Sequence, residues 1–160
     1  MKFLKRFSIA LRKLFRIVSA LRWGGAQYVR RSGDVARFVF SDRHFSKDGK
    51  PKRGAFQPER HPKLGRWEVS VCGLYRVSAA RVWELGSTIR AEKSAIAALR
   101  LPVAAIVSIG LECEAAPEFP DFAEHGVIVG WDPEDDSKES RNALQLELAA
   151  RVTATMRPVP

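Results

Sequence analysis

Two of the three histidines stand where loops often carry acid and base chemistry. His44 lies in the segment Asp42 to Ser46, which directly follows an apolar strand pattern. His125 follows Glu124 and precedes another apolar strand pattern. If the fold brings the two histidines together, they form an acid and base pair that a neighbouring carboxylate can orient. The competing interpretation is that each histidine bonds a nearby carbonyl and orders its own loop. His44 and His125 are therefore the catalytic candidates.

A basic loop beside His44 supplies candidate anion-binding residues. Between Asp42 and Arg66 the chain has eight Lys or Arg residues, interleaved with aromatic residues. Lys and Arg neutralise phosphates and aromatic rings stack on bases, so residues 43–66 are compatible with nucleic acid or a phosphate-bearing substrate. A merely solvated loop is the alternative. The residues that we expect to bind an anion are Arg43, Lys47, Lys52 and Arg53.

The remaining reactive residue types exclude several kinds of site. The histidines form no HxH or HExxH pattern, and Cys72 and Cys113 lack the CxxC spacing of a zinc site or redox pair. Neither a nucleophile elbow nor a glycine-rich phosphate loop occurs. The sequence therefore predicts no metal and no cofactor. Both cysteines are expected to be reduced and buried.

The positive charge of the chain is concentrated at its start. Nine of the 27 Lys and Arg residues lie in residues 1–33, which contain no acid, while the rest balances at 18 basic and 18 acidic residues. Apolar and basic residues recur in residues 1–23 with a helical period, which predicts a basic amphipathic helix. The residues expected to dock it to a partner or membrane are Leu4, Phe7, Leu11, Leu14, Val18 and Leu21.

Four interpretations of this helix remain open. An apolar face flanked by cations is typical of helices that lie on anionic membranes. The same apolar residues trace three heptads, which favours a partner helix or a homo-oligomer. The third is a cleaved organellar presequence. The fourth is a helix that folds back on its own domain, where residues 112–139 hold ten acids and one Lys.

The rest of the chain shows strand patterns among short helix patterns, without regular alternation. This predicts an α+β fold with a small mixed or antiparallel sheet and short helices, preceded by the N-terminal basic amphipathic helix. The domain is expected over residues 37–157, after a linker over residues 24–36. The clearest strand is Trp67 to Val77, in which one face is expected to hold Trp67, Val69, Val71 and Gly73 and the other Glu68, Ser70 and Cys72. Ser78 is expected to cap a short helix that ends at Gly86. A helix over residues 92–99 and a strand over residues 103–114 are also expected.

A series of short motifs runs along the body of the chain: Phe40-Ser41 with His44-Phe45, Gly49-Lys50-Pro51-Lys52 with Ala55-Phe56-Gln57-Pro58, Val69-Ser70-Val71, Val82-Trp83-Glu84-Leu85-Gly86, Gly110-Leu111, His125 with Ile128, and Gly130-Trp131. With these motifs the chain resembles a group of small uncharacterised bacterial proteins, over about residues 37–155. The resemblance implies a bacterial, cytoplasmic protein and carries no established activity. The chain departs from the group at Ile89-Arg90-Ala91-Glu92, where such proteins have a Gly-Arg-Ala-Asp-like stretch, which puts any role of that stretch in doubt here.

These observations lead to one functional hypothesis and two alternatives. The leading hypothesis is a non-enzymatic interaction module that docks to a partner protein or an anionic membrane surface through residues 1–23. The first alternative is a small enzyme for a phosphate-bearing or nucleotide substrate, with His44 and His125 as acid and base. The second is a nucleic-acid-binding protein that uses residues 43–66. The lack of a long apolar run favours a cytoplasmic location, free or peripheral at the inner membrane face.

Overall fold

The computed structural model describes residues 27–131 and 137–159, so the helix predicted over residues 1–23 and its docking residues lie outside the described residues. The strands are β1 (Asp34–Val39), β2 (Glu59–Arg60), β3 (Trp67–Gly73), β4 (Ala97–Pro102), β5 (Glu112–Ala115), β6 (His125–Val129) and β7 (Ala154–Met156). The helices are α1 (Ala79–Thr88), α2 (Val103–Val107) and α3 (Lys138–Ala150), with 3-10 turns at Asp42–His44 and Arg53–Phe56. None of the helices within these ranges is long and apolar enough to cross a bilayer.

The seven strands of the described residues form one antiparallel sheet. Its order is β5-β6-β3-β1-β4-β7, and β2 pairs with β3 beside this path. The central strand β1 pairs with β4 along its whole length. Against β3 it pairs at two positions only, Val35 with Gly73 and Ala36 with Cys72. The α+β class is confirmed, and the antiparallel sheet is the correct one of the two predicted types.

Both faces of the sheet bury apolar side chains, because successive residues of a strand point to opposite faces. The first face is covered by α3 and by the second 3-10 turn, and its strand residues include Val35, Val39, Val69, Val71, Leu99, Leu101 and Ile128. The second face is covered by α1 through Val82 and Leu85, and its strand residues include Ala36, Phe38, Cys72 and Ala98. The alternation expected for β3 is therefore confirmed.

Helix α1 begins as the sequence predicts and ends later. The hydroxyl of Ser78 accepts a hydrogen bond from the backbone N–H of Arg81 at 3.2 Å, which satisfies one free amide of the first turn. Gly86 does not end the helix, which continues to Thr88. A Cβ at Gly86 would lie 3.1 Å from both the Ala95 Cβ and the Phe38 ring, so the glycine lets α1 approach the sheet.

Further boundaries also differ from the predictions, and β3 ends at Gly73 rather than at Val77. Residues 97–102 form β4 rather than the end of a helix, because this run pairs with β1 at six positions and tertiary pairing overrides the helix propensity of Ala and Leu. Residues 103–107 form α2 rather than a strand, since the extended N-cap residue Pro102 ends β4 and both Val103 and Ile106 are buried. Strand β1 begins at Asp34, inside the segment 24–36 expected as linker.

The segment before β1 crosses the sheet in close contact with two glycines. A Cβ atom added at Gly73 would lie only 2.3 Å from the backbone carbonyl oxygen of Tyr28. A Cβ at Gly126 would come within 2.8 Å of the Val29 side chain. The same carbonyl of Tyr28 accepts a hydrogen bond from the Tyr75 N–H at 3.3 Å. The absence of a side chain at these two positions thus allows the crossing.

We expect Gly73→Ala to lower the free energy of unfolding by about 1–3 kcal/mol, because the added methyl group meets backbone rather than a flexible side chain. Urea unfolding followed by circular dichroism measures the change. Gly33→Ala is the matched control, since its Cβ would make an ordinary contact, 3.4 Å from the Arg30 carbonyl oxygen. Equal stability of the two variants would contradict the tight crossing.

Candidate functional site

An open cleft of about 870 Å³ lies on the second face of the sheet, beside α1. Its floor contains Phe38 of β1, Ser70 of β3 and His125 of β6. The walls come from α1 with the residues that follow it to Arg90, from residues 57–62, and from residues 118–122. The volume lies in the range of small-molecule sites, about 300–1,000 Å³. We therefore take this cleft as the candidate site.

His125 is buried at the floor of the cleft, and both of its ring nitrogens have partners. Nδ1 lies 2.7 Å from the carbonyl oxygen of Ala116 and 3.3 Å from Oε1 of Glu118. Because a carbonyl oxygen only accepts hydrogen bonds, Nδ1 carries the proton of the neutral ring. Nε2 is then an acceptor, and the Oγ atom of Ser70 lies 3.2 Å from it. Ser70 therefore donates its hydroxyl proton toward His125.

The register between β3 and β6 brings Ser70 and His125 together. Ser70 pairs with Val127 and Cys72 pairs with His125, so Ser70 and His125 are diagonal neighbours. Both belong to the second face, because they alternate with residues of the first face along their strands. Ser70 is exposed whereas His125 is buried, so the hydroxyl is the accessible member of the pair.

Arg37 fills the place where the ladder between β1 and β3 ends. Its Nη1 atom donates to the backbone carbonyl of Ser70 at 2.9 Å, and its Nε atom donates to the carbonyl of Ala55 at 3.1 Å. Burial lowers the pKa of Arg37, Glu59 opposes this change and Arg90 adds to it, and the resulting pKa is about 10. The guanidinium remains charged at neutral pH. A half-buried positive charge thus lies directly beside the backbone of Ser70.

Arg90 adds a second positive charge to the same cleft. Its guanidinium carbon lies 4.4 Å from the centre of the Phe40 ring, in a cation–π contact. Burial lowers the pKa of His44, and four positive neighbours lower this pKa further. In decreasing order of their effect, they are Arg43, Arg37, Arg90 and Lys52. The basic loop and the two cleft arginines therefore form one positive region around His44.

Arg81 connects α1 to the loop that carries Glu118. Its Nε atom lies 3.0 Å from Oε1 of Glu124 and its Nη2 atom lies 3.3 Å from Oε2 of the same carboxylate. Nη2 also donates to the carbonyl of Asp121 at 3.0 Å, and Nη1 pairs with Glu84 at 3.0 Å. The hydrogen bonds that Arg81 donates to Glu124, and next those to Glu84, raise the pKa of Arg81. Because Glu124 is buried, the bonds from Arg81 to Glu124 and Asp121 hold the loop of residues 118–124 against α1.

The residues predicted from the sequence are divided by the fold. His125 lines the cleft, whereas His44 lies outside its lining, in the first 3-10 turn with its ring against Gly54. The predicted anion-binding residues are exposed on the loop and do not line the cleft; they are Arg43, Lys47, Lys52 and Arg53. His61 does line the cleft, and its Nδ1 accepts from two backbone amides of its own turn.

Sequence reasoning missed Ser70, Glu118, Arg37 and Arg90 as site residues. The alternation of β3 already assigns Ser70 to the face opposite Val69 and Val71, which marks a polar residue in an apolar strand. No comparable signal exists for the others. Arg37 has the position of an ordinary strand residue, and Arg90 and Glu118 lie in loops.

Cys72 and Cys113 form no disulfide. Cys72 is buried, as predicted, while Cys113 is half-buried. Burial raises the pKa of the Cys72 thiol to about 12, and it raises that of Cys113 to about 12 as well. Since the thiolate is the reactive form, both groups are poor nucleophiles near neutral pH. Among the described residues, no three His, Cys, Asp or Glu side chains gather as a metal-binding group.

We expect both thiols to react with Ellman's reagent far more slowly in the native protein than in urea. A rise in pKa from 9.0 to about 12 lowers the thiolate fraction at pH 8 by about a thousandfold. The native state should also lose stability as the pH rises from about 9 to 12, because the unfolded thiols ionise first. Rapid labelling of either cysteine in the native protein would contradict this result.

Comparison of the chain with protein-family models, with curated proteins and with solved structures finds no match. The function must therefore be argued from the cleft itself.

Proposed function

We propose that the cleft binds a small ligand that carries a phosphate group. The observation that supports this most directly is the pair Arg37 and Arg90, which both line the cleft and act on each other electrostatically. Within residues 27–131 and 137–159, neither guanidinium forms an ion pair with a carboxylate. Two neighbouring positive charges are stabilised by an anion, and guanidinium groups match the geometry of phosphate oxygens.

The cleft is lined by four arginines and five carboxylates, so its positive charge is local rather than net. Three carboxylates already lie beside positive or protonatable partners: Glu68 beside Arg66, Glu84 beside Arg81 and Glu118 beside His125. Glu59 is the carboxylate that acts on Arg37. The positive end of the cleft thus lies toward Phe40 and the basic loop, and the acidic end lies around residues 118–121.

Aromatic rings give the cleft a surface for a flat organic group. Phe40 lies beneath Arg90, and Phe119, which is 43% exposed, also lines the cleft. Stacking on such rings contributes about 1–3 kcal/mol for a nucleic-acid base. A nucleotide therefore fits the combination of positive charge, aromatic surface and volume. This supports the hypothesis of a phosphate-bearing or nucleotide ligand, with Arg37 and Arg90 rather than the loop residues as its closest cations.

We expect Arg90→Gln to weaken binding of a nucleoside monophosphate by about tenfold or more. A hydrogen bond to a charged group contributes about 1.5–3 kcal/mol, and about 1.4 kcal/mol corresponds to tenfold in Kd. Isothermal titration calorimetry with adenosine monophosphate and with inorganic phosphate measures the effect. Arg37 is unsuited to this test, because its substitution also removes the bonds to Ala55 and Ser70.

Arg157→Gln is the matched control for this experiment. Arg157 also lies over an aromatic ring, 5.1 Å from the centre of Phe45, but it does not line the cleft. Its substitution should leave binding unchanged. The proposal fails if the wild-type protein binds neither probe, or if the two variants weaken binding equally.

A second candidate function is docking through the basic segment 1–23 to an anionic membrane surface or a partner protein. The observation that favours it is the concentration of nine basic and no acidic residues in residues 1–33, beside a body of balanced charge. Tyr28 and Val29 contact Gly73 and Gly126, so the described chain at residues 28 and 29 lies against the sheet. This function and ligand binding in the cleft are compatible.

Deletion of residues 2–23 should abolish sedimentation with vesicles that contain phosphatidylglycerol, because it removes seven of the nine N-terminal cations together with the apolar face. Leu11→Asp in the full chain should also reduce it, and high salt should weaken it further. Vesicles of phosphatidylcholine alone are the control. Docking to a partner helix predicts instead that binding survives salt and fails with Leu11→Asp. Equal recovery of the deleted and full-length chains with vesicles and partners would contradict both.

A further inference from the structure

We propose that Ser70 is a nucleophile that cleaves a carboxylic ester bearing an anionic group, with His125 as its general base and Glu118 as the residue that orients His125. For selection of the anionic substrate this inference rests on the proposed anion site at Arg37 and Arg90. For the nucleophile itself it rests on separate geometry. The two can therefore fail independently.

The hydrogen bonds around His125 have the direction that this chemistry requires. The Nδ1 proton is held by the Ala116 carbonyl at 2.7 Å with the Glu118 carboxylate at 3.3 Å, which leaves the Nε2 lone pair directed at Ser70 Oγ. A nucleophile bonded to a base that a third group orients is the general pattern of activated serine. The reverse tautomer would make Nε2 a donor, and the Ala116 carbonyl opposes it.

The burial of the three groups is also suited to nucleophilic attack. Ser70 is exposed at the floor of the cleft, whereas the side chain of His125 is only 8% exposed. A ligand in the cleft reaches the hydroxyl, while the rigid sheet holds the base behind it. Glu118 is 69% exposed in its side chain, so it orients and polarises the ring from the rim of the cleft.

Arg37 couples this pair to the anion site. Its Nη1 atom donates to the backbone carbonyl of Ser70 at 2.9 Å, and Ser70 is the same residue whose hydroxyl oxygen attacks. An anionic group held by Arg37 and Arg90 would bring an ester on the same molecule close to Ser70. Positioning of this kind converts an encounter between two molecules into a reaction within one complex.

The reaction balances with water as the only co-reactant. Ser70 Oγ bonds to the carbonyl carbon of the ester while its proton passes to His125 Nε2. The bond from carbon to the leaving oxygen then breaks, and His125 returns the proton to the leaving alcohol. A water molecule attacks the acyl-serine with His125 again accepting a proton, which releases the acid and restores Ser70.

The first experiment tests the nucleophile without a substrate. An alkyl fluorophosphonate reacts with an activated serine by loss of fluoride, and peptide mass spectrometry locates the adduct. We expect a single adduct on Ser70 in the full chain, and none in Ser70→Ala. Ser108→Ala is the control, because that hydroxyl donates to the Ala105 carbonyl at 2.7 Å in the turn after α2 and lies outside the cleft.

Two variants separate activation from mere exposure of the hydroxyl. His125→Asn should lower the labelling rate by about 100-fold, in the range that general bases contribute. Glu118→Gln should lower it by a smaller factor while leaving the melting temperature unchanged, because the carboxylate is largely solvated. If His125→Asn unfolds the protein, the exposed Glu118→Gln change still tests the pair. Absence of label on Ser70, or labelling at the wild-type rate in the folded variants, would overturn the proposal.

The second experiment tests the substrate class. A p-nitrophenyl ester of a dicarboxylic acid should be cleaved with a higher kcat/KM than p-nitrophenyl acetate, and Arg90→Gln should reduce that preference by about tenfold. Glu118→Gln should lower kcat without raising KM. If Ser70 is labelled but inorganic phosphate does not bind and the anionic ester is not cleaved faster than p-nitrophenyl acetate, the anion site is wrong and the nucleophile stands. Turnover of p-nitrophenyl phosphate with no ester cleavage would overturn the ester assignment.

Discussion

The guanidinium of Arg37 occupies the break in the middle of the sheet, and the arrangement around the cleft depends on it. The ladder between β1 and β3 covers two residue pairs, so the carbonyl of Ser70 obtains its hydrogen bond from Arg37 rather than from a β1 amide. The same side chain bonds the Ala55 carbonyl and thereby attaches the loop after β1. Carbonyl groups that have no partner in the ladder need another donor, and one charged side chain supplies it on both sides of the break. The consequence is a half-buried positive charge in the gap between β1 and β3, and this charge lines an open cleft.

The two faces of the sheet differ because their covering elements differ in extent. The first face is closed by α3 and the second 3-10 turn, whose Phe56 is fully buried. The second face is covered by α1 only in part, which leaves Ser70 and the surrounding floor open. The ion pair between Arg81 and Glu124 holds the loop of residues 118–124 against α1. Removing one partner of such a pair leaves a buried charge uncompensated, which costs about 3–5 kcal/mol. Glu118 keeps its place beside His125 because that loop is fixed.

The sequence was a good guide where structure depends on neighbours along the chain. The cap at Ser78 and the alternation of β3 follow from short-range patterns, and both are present. The errors at residues 92–99 and 103–107 arise because β4 is a strand through its pairing with β1, and α2 is a helix through its burial after Pro102. His125 was identified from its place before a strand. Ser70 was not, because a serine in a strand has no chemical meaning until its partner strand is known.

Composition and local pattern alone determined the α+β class, the unequal distribution of positive charge, and the presence of His125 at the start of a strand. Only the tertiary structure decided that Nε2 of His125 meets the hydroxyl of Ser70, 55 positions earlier, and that Nδ1 bonds the Ala116 carbonyl. It also decided that Arg37 bonds the Ala55 carbonyl of the loop after β1. The physical reason is the side-chain period of two in a strand. A shift of one residue in the pairing of β3 with β6 would turn Ser70 and His125 to opposite faces, and the register is set by packing of the whole sheet.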